Sequence, residues 1–156
     1  RSDGGSAVWG FAHASWRSTV AGVTRSLLAA MTDAGLRPGK ARAVVCPSAG
    51  PCCYEVGDEV RQAALARLGP AAAGFFAPHE RRWRLDLWQA NAAQLRAGGV
   101  PADAISITGH CTICGGPAYP SHRREGDAAG RFAAFIAGDG QPVGPVGAPA
   151  AGPDAT

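Results

Sequence analysis

The 156-residue sequence contains few charged residues, few aromatic residues and a single lysine. These shortages narrow the classes of partner that the protein can bind. Charged residues make up 17% of the chain, the net charge is +3, and Lys40 is the only lysine. A nucleic-acid-binding surface normally concentrates many basic side chains on one face. We therefore expect no nucleic-acid partner, although a small anion such as phosphate is compatible with this charge.

The sequence also lacks a long apolar run and a regular disulfide pattern. No segment approaches the roughly 20 apolar residues that a membrane-spanning helix needs, and the first residues lack the regions of a signal peptide. The five cysteines are an odd number and include the adjacent pair Cys52 and Cys53, which is a poor disulfide framework. These observations predict a soluble cytoplasmic protein with reduced thiols and no membrane partner.

Apolar spacing predicts both strands and helices. Residues 7 to 13 are typical of a buried strand that ends at His13, and Ser18 or Thr19 is expected to cap a helix. Asp86, with Gln89 three residues later, predicts the capped start of another helix. A further helix is predicted at residues 58 to 68, and further strands at residues 41 to 46 and 105 to 107. Residues 131 to 136 are expected to form the last strand, with a short helix as the alternative.

The end of the chain has a different composition. Residues 138 to 156 are rich in glycine, proline and alanine, and such a segment cannot bury enough apolar surface to offset the entropy of ordering it. We therefore expect one domain over residues 1 to 137, followed by a disordered tail.

Two residues near the first predicted helix are candidates for metal and anion binding. The neutral imidazole of His13 is a metal ligand, and Arg17, four residues later near a helix start, is suited to pair with a phosphate or carboxylate. A structural histidine beside a surface arginine is the alternative, and the short pattern leaves both open.

The segment His110-Cys111-Thr-Ile-Cys114 has a spacing that suits zinc or redox chemistry. A closed zinc site needs four ligands, and only Cys52 and Cys53 could supply a second pair. Adjacent cysteines are awkward ligands for one tetrahedral ion, so we expect reduced thiols without a metal. A small zinc-binding module built on His110, Cys111 and Cys114 is the alternative.

Two polar loops complete the candidates. Residues 47 to 56 form a proline-stiffened loop that would hold Cys52, Tyr54 or Glu55 against a ligand. Arg123 and Arg124 lie in a cationic segment that would close over an anionic substrate. A structural turn and an ordinary solvated loop are the respective alternatives.

The order and spacing of several segments carry a family resemblance. They are H-A-S-W-R at 13 to 17, P-S-A-G-P-C-C-Y-E-V at 47 to 56, L-D-L-W-Q-A-N-A-A-Q-L at 85 to 95, C-T at 111 and 112, S-H-R-R-E-G at 121 to 126 and G-R-F-A-A-F-I at 130 to 136. Together they resemble the C-terminal two-thirds of the laccase-domain family, which includes metal-binding purine nucleoside phosphorylases and the peptidoglycan editing factor.

The resemblance implies an α/β fold of the α+β type, a layered sandwich in which helices flank a mixed β-sheet, without the N-terminal part of the family fold. It implies a metal-dependent purine nucleoside phosphorylase that converts adenosine, inosine or methylthioadenosine and phosphate into base and ribose 1-phosphate, with adenosine deamination as a second activity. The implied metal is zinc, with copper as the alternative. A copper-dependent polyphenol oxidase and a non-catalytic zinc-binding or structural module are the alternative functions.

In the family the metal is held by two histidines and one cysteine, and His13 matches one of those histidines. The other two ligands belong to an earlier family segment, so we expect this chain to be inactive unless that segment joins it as a partner. On this interpretation Arg17 is catalytic and binds substrate, and Arg123 and Arg124 also bind substrate. Ser15, Ser18 and Cys46 replace family glycines, and His122 replaces a family tyrosine.

Overall fold

The computed structural model describes residues 7 to 136 as a succession of short helices and strands. The α-helices are α1 (Trp16–Ala21), α2 (Val23–Asp33), α3 (Asp58–Leu68), α4 (Leu87–Ala97) and α5 (His122–Glu125). The strands are β1 (Ala43–Val45), β2 (Glu55–Val56), β3 (Phe76–His79), β4 (Arg82–Leu85) and β5 (Ile105–Ile107). Short 3-10 helices cover Pro38–Lys40, Pro70–Phe75, Ala102–Ala104, Gly116–Ala118 and Gly126–Ala128.

The strands form one parallel pair and one antiparallel sheet. In the parallel pair, Ala43 of β1 lies opposite Ile105 of β5, and Val45 lies opposite Ile107. In the antiparallel sheet, β4 is the central strand between β2 and β3. This mixture of strand directions and helices confirms the predicted fold class, with the parallel and antiparallel strands in separate sheets within the described part of the chain.

The larger core lies between the antiparallel sheet and α3. Its buried side chains are Tyr54, Val56, Val60, Ala64, Ala72, Phe76, Leu85 and Leu87. Val60 and Ala64 lie four residues apart on α3, so this helix buries a single face. Tyr54 lies just before β2, and its backbone oxygen accepts from the Leu85 N–H at 2.9 Å. The packing of Tyr54 in the core and its backbone hydrogen bond to Leu85 therefore fix the end of the loop that precedes β2.

A smaller core and a buried polar network hold α4 against the N-terminal helices. The smaller core consists of Leu28, Ala41 and Val100. In the network, Asn91 Oδ1 accepts from the hydroxyls of Thr24 at 2.6 Å and Thr19 at 3.3 Å. Asn91 Nδ2 donates to the Leu87 backbone oxygen at 2.8 Å, and Gln94 Nε2 donates to the Thr19 backbone oxygen at 2.9 Å. Because Thr19 is 1% exposed, its hydroxyl depends on this network for its hydrogen bonds.

The first helical region differs from the prediction in its start and its continuity. Ser15 is the N-cap in place of Ser18 or Thr19, and its hydroxyl accepts from the Ser18 N–H at 3.2 Å. Gly22 then has a φ of 89° and separates α1 from α2. Glycine enters this left-handed conformation without the steric cost of a Cβ, so the chain turns at Gly22 where apolar spacing alone predicted one continuous helix.

Two of the predicted strands are wrong. Residues 7 to 13 and 131 to 136 form no regular element, and no strand of the described chain pairs with either segment. Several of their large apolar side chains are exposed instead: Trp9, Phe11, Phe132, Phe135 and Ile136. An apolar run becomes a strand only where another strand supplies hydrogen-bonding partners, and the described residues supply none here.

Other local predictions are confirmed. Helix α3 has the predicted bounds, β5 covers residues 105 to 107, and Asp86 caps α4 by accepting from the Gln89 N–H at 2.9 Å. The β3–β4 hairpin was not predicted, although the alternation of arginine with Trp83 and Leu85 in β4 was an available signal. The arginines at positions 82 and 84 concealed the strand, although β4 is the central strand of its sheet and Leu85 belongs to the larger core.

The predicted tail at residues 138 to 156 lies outside the described residues, as does the predicted domain boundary at residue 137. Among residues 7 to 136, no helix has both the length and the apolar character needed to cross a membrane.

Candidate functional site

Two loops meet at one edge of the parallel pair. We call residues 47 to 54, after β1, the first cysteine loop, and residues 110 to 115, after β5, the second cysteine loop. Ser48 and Cys111 continue the strand pairing as an isolated parallel bridge, and the Thr112 N–H donates to the Ser48 backbone oxygen at 3.0 Å. The carboxyl ends of neighbouring parallel strands deliver their loops to one place, which is a common position for a ligand site.

Gly50 allows the first cysteine loop to pass close to the second. A Cβ atom at Gly50 would lie 2.6 Å from Trp88 Cη2 and 3.0 Å from Cys111 Cβ, so no side chain fits there without displacing a neighbour. The Gly50 N–H donates to Cys111 Sγ at 3.3 Å, and Trp88 Nε1 donates to Ser48 Oγ at 2.7 Å. Helix α4 thus braces the loops through Trp88.

Four cysteines converge where the loops meet, and we call them the four-cysteine cluster. Its members are Cys52, Cys53, Cys111 and Cys114, whose sulfur atoms all lie within 4.8 Å of one another. The sulfurs of Cys52 and Cys114 are 3.6 Å apart, and all the cysteines are free thiols. We expected the adjacent Cys52 and Cys53 to be poorly placed as ligands of one metal ion. The structure corrects this expectation, because the turn at residues 51 to 53 brings both sulfurs to the second cysteine loop.

The surroundings of Cys111 stabilise a thiolate. Burial acts to raise the pKa of Cys111, but hydrogen bonds from backbone N–H groups, chiefly those of Cys114 and Gly50, bring it down to about 6. Burial, together with hydrogen bonds to the neighbouring thiols, raises the pKa of Cys52 to about 12. One sulfur of the cluster is therefore suited to carry a negative charge, while a neighbouring thiol keeps its proton.

His13 and Arg17 are exposed at the start of α1. The Ser18 hydroxyl donates to the His13 backbone oxygen at 2.9 Å, which fixes the backbone that carries the imidazole. Arg17 is the second residue of α1, and its guanidinium carbon lies 4.5 Å from the Trp16 ring centroid. Both side chains are accessible to ligands, and their metal-binding and anion-binding roles stay predictions.

The serines that replace family glycines take part in capping α1. Ser15 has a φ of −64°, which any L-residue adopts, so no glycine-only conformation is needed at that position. The Ser18 hydroxyl donates to the backbone oxygen of Ser15 at 3.1 Å as well as to that of His13. Of the other replacements, Cys46 is half-buried and lies outside the four-cysteine cluster, and His122 begins α5 with an exposed ring.

Tyr54 links two of the predicted anion-binding residues. Its side chain belongs to the larger core, and the Arg123 guanidinium carbon lies 5.0 Å from its ring centroid. Arg123 Nη1 donates to the Glu55 backbone oxygen at 2.9 Å. Burial raises the pKa of Tyr54, and the positive charges of Arg123 and Arg17 partly offset that effect. Arg17 and Arg123 therefore act on the same phenol, and we call the area around these three residues the cationic surface.

Arg124 has a different set of contacts. Its Nη1 donates to the backbone oxygens of Thr112 and Ile113 at 2.7 and 2.8 Å, and its Nη2 donates to that of Tyr119 at 2.8 Å. It also pairs with Glu125, and this hydrogen-bonded pair lowers the pKa of that carboxyl. These bonds tie α5 to the second cysteine loop. They favour a positioning role for Arg124, and its predicted contact with substrate stays a prediction.

The metal centre implied by the resemblance is incomplete within residues 7 to 136. His13 offers one imidazole, but no group of three or more His, Cys, Asp or Glu side chains that includes His13 occurs in this range. An open catalytic zinc site uses three protein ligands. The described residues therefore do not fit this metal by themselves, and no catalytic step is assigned to it.

Comparisons with known proteins place these features in a family context. A sequence model of the family described as multi-copper polyphenol oxidoreductase laccase matches residues 2 to 139. The purine nucleoside phosphorylase YlmD of Geobacillus stearothermophilus is 35% identical over 129 residues, which cover 81% of this chain and 47% of the relative. The adenosine deaminase RL5, from an unknown prokaryotic organism, is 35% identical over 120 residues, which cover 76% of this chain and 46% of the relative.

A solved structure has a similar fold. The crystal structure of the Bacillus licheniformis hypothetical protein YfiH matches with a TM-score of 0.67 and 33% identity, over 72% of this chain and 43% of that protein. This match and the family match confirm the resemblance and the fold class. The chain spans about half the length of the curated relatives it matches.

Proposed function

This chain belongs to the multi-copper polyphenol oxidoreductase laccase family, and we propose that it binds phosphate and a purine nucleoside as part of a purine nucleoside phosphorylase. In the proposed reaction a phosphate oxygen forms a bond to C1′ of the ribose while the bond from C1′ to the purine nitrogen breaks. The products are ribose 1-phosphate and the base, which takes up a proton. A relative named purine nucleoside phosphorylase, 35% identical, supports this reaction.

The cationic surface is the observation that carries the proposal. Arg17 and Arg123 are both exposed, and among the described residues neither forms a salt bridge with a carboxylate. Their guanidinium groups act on one buried phenol, although they come from helices far apart in the sequence. The positive charge and planar hydrogen-bonding geometry of a guanidinium group match those of phosphate.

The proposed roles follow from these contacts. Arg17 and Arg123 bind the phosphate, offset its negative charge and orient one oxygen toward the ribose. Tyr54 is protonated at neutral pH, and burial, which raises its pKa further, keeps its hydroxyl a hydrogen-bond donor. Arg124 positions α5, and through it Arg123, by holding the second cysteine loop.

Several finer points belong to the same proposal. Inosine, adenosine and methylthioadenosine are the proposed substrates, and adenosine deamination is a proposed second activity, supported by the relative named adenosine deaminase. We assign zinc in preference to copper to the family metal centre, where His13 would be one ligand. The proposed location is the cytoplasm, where thiols stay reduced.

The test is phosphate-dependent release of hypoxanthine from inosine. It is measured with the natural gene product that contains this sequence and with the 156-residue chain alone. We expect activity in the gene product, and we expect Arg17→Ala to lower kcat/KM for phosphate by about 10-fold to 100-fold, because a hydrogen bond to a charged group contributes about 1.5–3 kcal/mol. Arg17→Lys should restore part of the loss.

Arg25→Ala is the matched control. Arg25 is exposed on α2 and is absent from the groups that act on Tyr54, so its removal should leave phosphate use unchanged. Equal activity in Arg17→Ala and the native protein would overturn the assignment of the cationic surface. Base release that does not depend on phosphate, or oxygen uptake with phenols and no base release, would overturn the phosphorylase itself.

A further inference from the structure

The four-cysteine cluster has a composition and a geometry that the proposed phosphorylase reaction does not use. Its four thiols come from two loops that a pair of parallel strands holds together, and no histidine takes part. We propose that the cluster binds one Zn²⁺ ion in a closed site with four thiolate ligands. This proposal concerns a different set of residues from the family metal centre at His13 and does not rest on the proposed function.

The distances between the sulfur atoms suit a tetrahedral zinc ion. A zinc–sulfur bond is about 2.3 Å long, so two sulfurs of a tetrahedral site lie about 3.8 Å apart. The sulfurs of Cys52 and Cys114 are 3.6 Å apart. Since no pair exceeds 4.8 Å, no two sulfurs need to approach each other by more than about 1 Å to complete the tetrahedron.

The ligand type selects the ion. Thiolates are soft ligands that favour zinc, copper(I) and iron–sulfur clusters over calcium or magnesium, and four of them fill the coordination shell of zinc. A filled shell leaves no position for a water or a substrate, which is the pattern of a structural site. On binding, each protonated thiol gives its proton to the solvent and no electron is transferred.

Hydrogen-bond donors and a cation surround the thiolates. The Gly50 N–H donates to Cys111 Sγ at 3.3 Å, so a backbone donor already points at one ligand atom of the proposed site. The Arg124 guanidinium binds backbone oxygens of the second cysteine loop, beside the cluster. The Gly50 N–H offsets part of the negative charge that four thiolates and one Zn²⁺ carry, whereas Arg124, whose own charge is paired with Glu125, holds the loop that supplies Cys111 and Cys114.

The ion would cross-link the loops that support the cationic surface. Cys52 and Cys114 are 62 positions apart in the sequence, so one ion would directly connect two loops that are otherwise joined only through a long stretch of chain. Tyr54 directly follows Cys53, and Arg124 joins the second cysteine loop to α5. Zinc at the cluster would therefore fix the loop that leads to Tyr54 and, through Arg124, the helix that carries Arg123.

The first test is the zinc content and affinity of the chain, purified with its thiols reduced. We expect one zinc per chain, and cobalt substitution should give the visible absorption of a tetrahedral tetrathiolate site. Cys114 is exposed, so Cys114→Ser removes a ligand with little effect on the core. Zinc affinity should fall by more than about 100-fold. A residue that only hydrogen-bonds to a metal ligand typically changes metal affinity by less than this when it is mutated.

Cys46→Ser is the matched control, because Cys46 is the one cysteine outside the cluster. Its zinc content and affinity should equal those of the native chain. A chelator should lower the midpoint of thermal unfolding in the native chain and in Cys46→Ser, and leave that of Cys114→Ser unchanged. A midpoint that responds to chelator equally in all three proteins would contradict the cluster as the binding site.

Other results would also overturn the proposal. One is a reduced native chain that takes up no zinc from a micromolar solution. Another is a Cys52–Cys114 disulfide, detected by mass spectrometry, in the chain as it is isolated under reducing conditions, since that bond would remove two of the ligands. A cobalt spectrum with fewer than four sulfur ligands would likewise contradict a tetrathiolate site.

Discussion

The two cores of the molecule differ in how completely the described residues close around them. The larger core has the antiparallel sheet on one side and α3 on the other, and Val56 in β2 is 4% exposed. The smaller core has three fully buried members, and Val44, at the centre of β1, is 62% exposed. Residues close together in sequence supply the cover of the first core, whereas residues 7 to 136 cover the parallel pair on one face only.

Strand direction explains much of this difference. A hairpin such as β3–β4 pairs locally and then needs one helix to bury its apolar face. A parallel pair is normally covered on both faces, and here α4 contacts β1 and β5 while Val44 faces outward. The region around the parallel pair therefore gains less from side-chain burial, and the contacts between the two cysteine loops become more important to it.

The largest expected effect comes from one substitution made in both cores. Leu85 is 3% exposed in the larger core and Leu28 is 7% exposed in the smaller one. We expect Leu85→Ala to lower the free energy of unfolding by about 4 kcal/mol and Leu28→Ala by about 2 kcal/mol, because the cost grows with the cavity that remains. Urea denaturation of both variants measures the difference. Equal losses would mean that the smaller core is as tightly closed as the larger.

A smaller effect is expected at the polar network that joins α4 to the N-terminal helices. Asn91→Ala leaves the buried hydroxyls of Thr19 and Thr24 without their shared acceptor, so we expect a loss of about 2 kcal/mol in the free energy of unfolding. Gln89→Ala, an exposed change on the same helix, should cost less than about 0.5 kcal/mol. If both variants unfold at the same urea concentration, the network does not hold the two regions together.

The smallest effect is expected at the open face of the parallel pair. Val44→Thr places a hydroxyl in solvent and should change the free energy of unfolding by less than about 0.5 kcal/mol. The same change at Val56 buries a hydroxyl in the larger core and should cost about 1–3 kcal/mol. Thermal unfolding of the two variants side by side checks this contrast. A large loss at Val44 would show that this face is covered in solution.

Local signals in the sequence were reliable where neighbouring residues decide the structure. The bounds of α3 follow from Asp58 at its start and Gly69 with Pro70 after its end, and the cap of α4 follows from Asp86 and Gln89. Failures occurred where a distant partner decides. Residues 7 to 13 and 131 to 136 have strand-like compositions, but no strand of the described chain pairs with them.

The candidate site shows the same division. The resemblance singled out Arg17, Arg123 and Arg124 together, but only their contacts separate the first two, which act on Tyr54, from Arg124, which binds the second cysteine loop. The sequence showed two cysteine pairs and argued against a shared centre. The parallel pairing of β1 and β5 brought those pairs together, which no local pattern could indicate.

The sequence by itself determined the family and the helices that carry their own caps. Those properties depend on composition and on residues a few positions apart, where backbone conformation and side-chain chemistry act directly. The tertiary structure alone decided which side chains become neighbours: four thiols from two loops, and the Arg123 guanidinium beside the Tyr54 ring. Such neighbours depend on strand pairing and core packing between segments tens of residues apart, and these are properties of the folded chain as a whole.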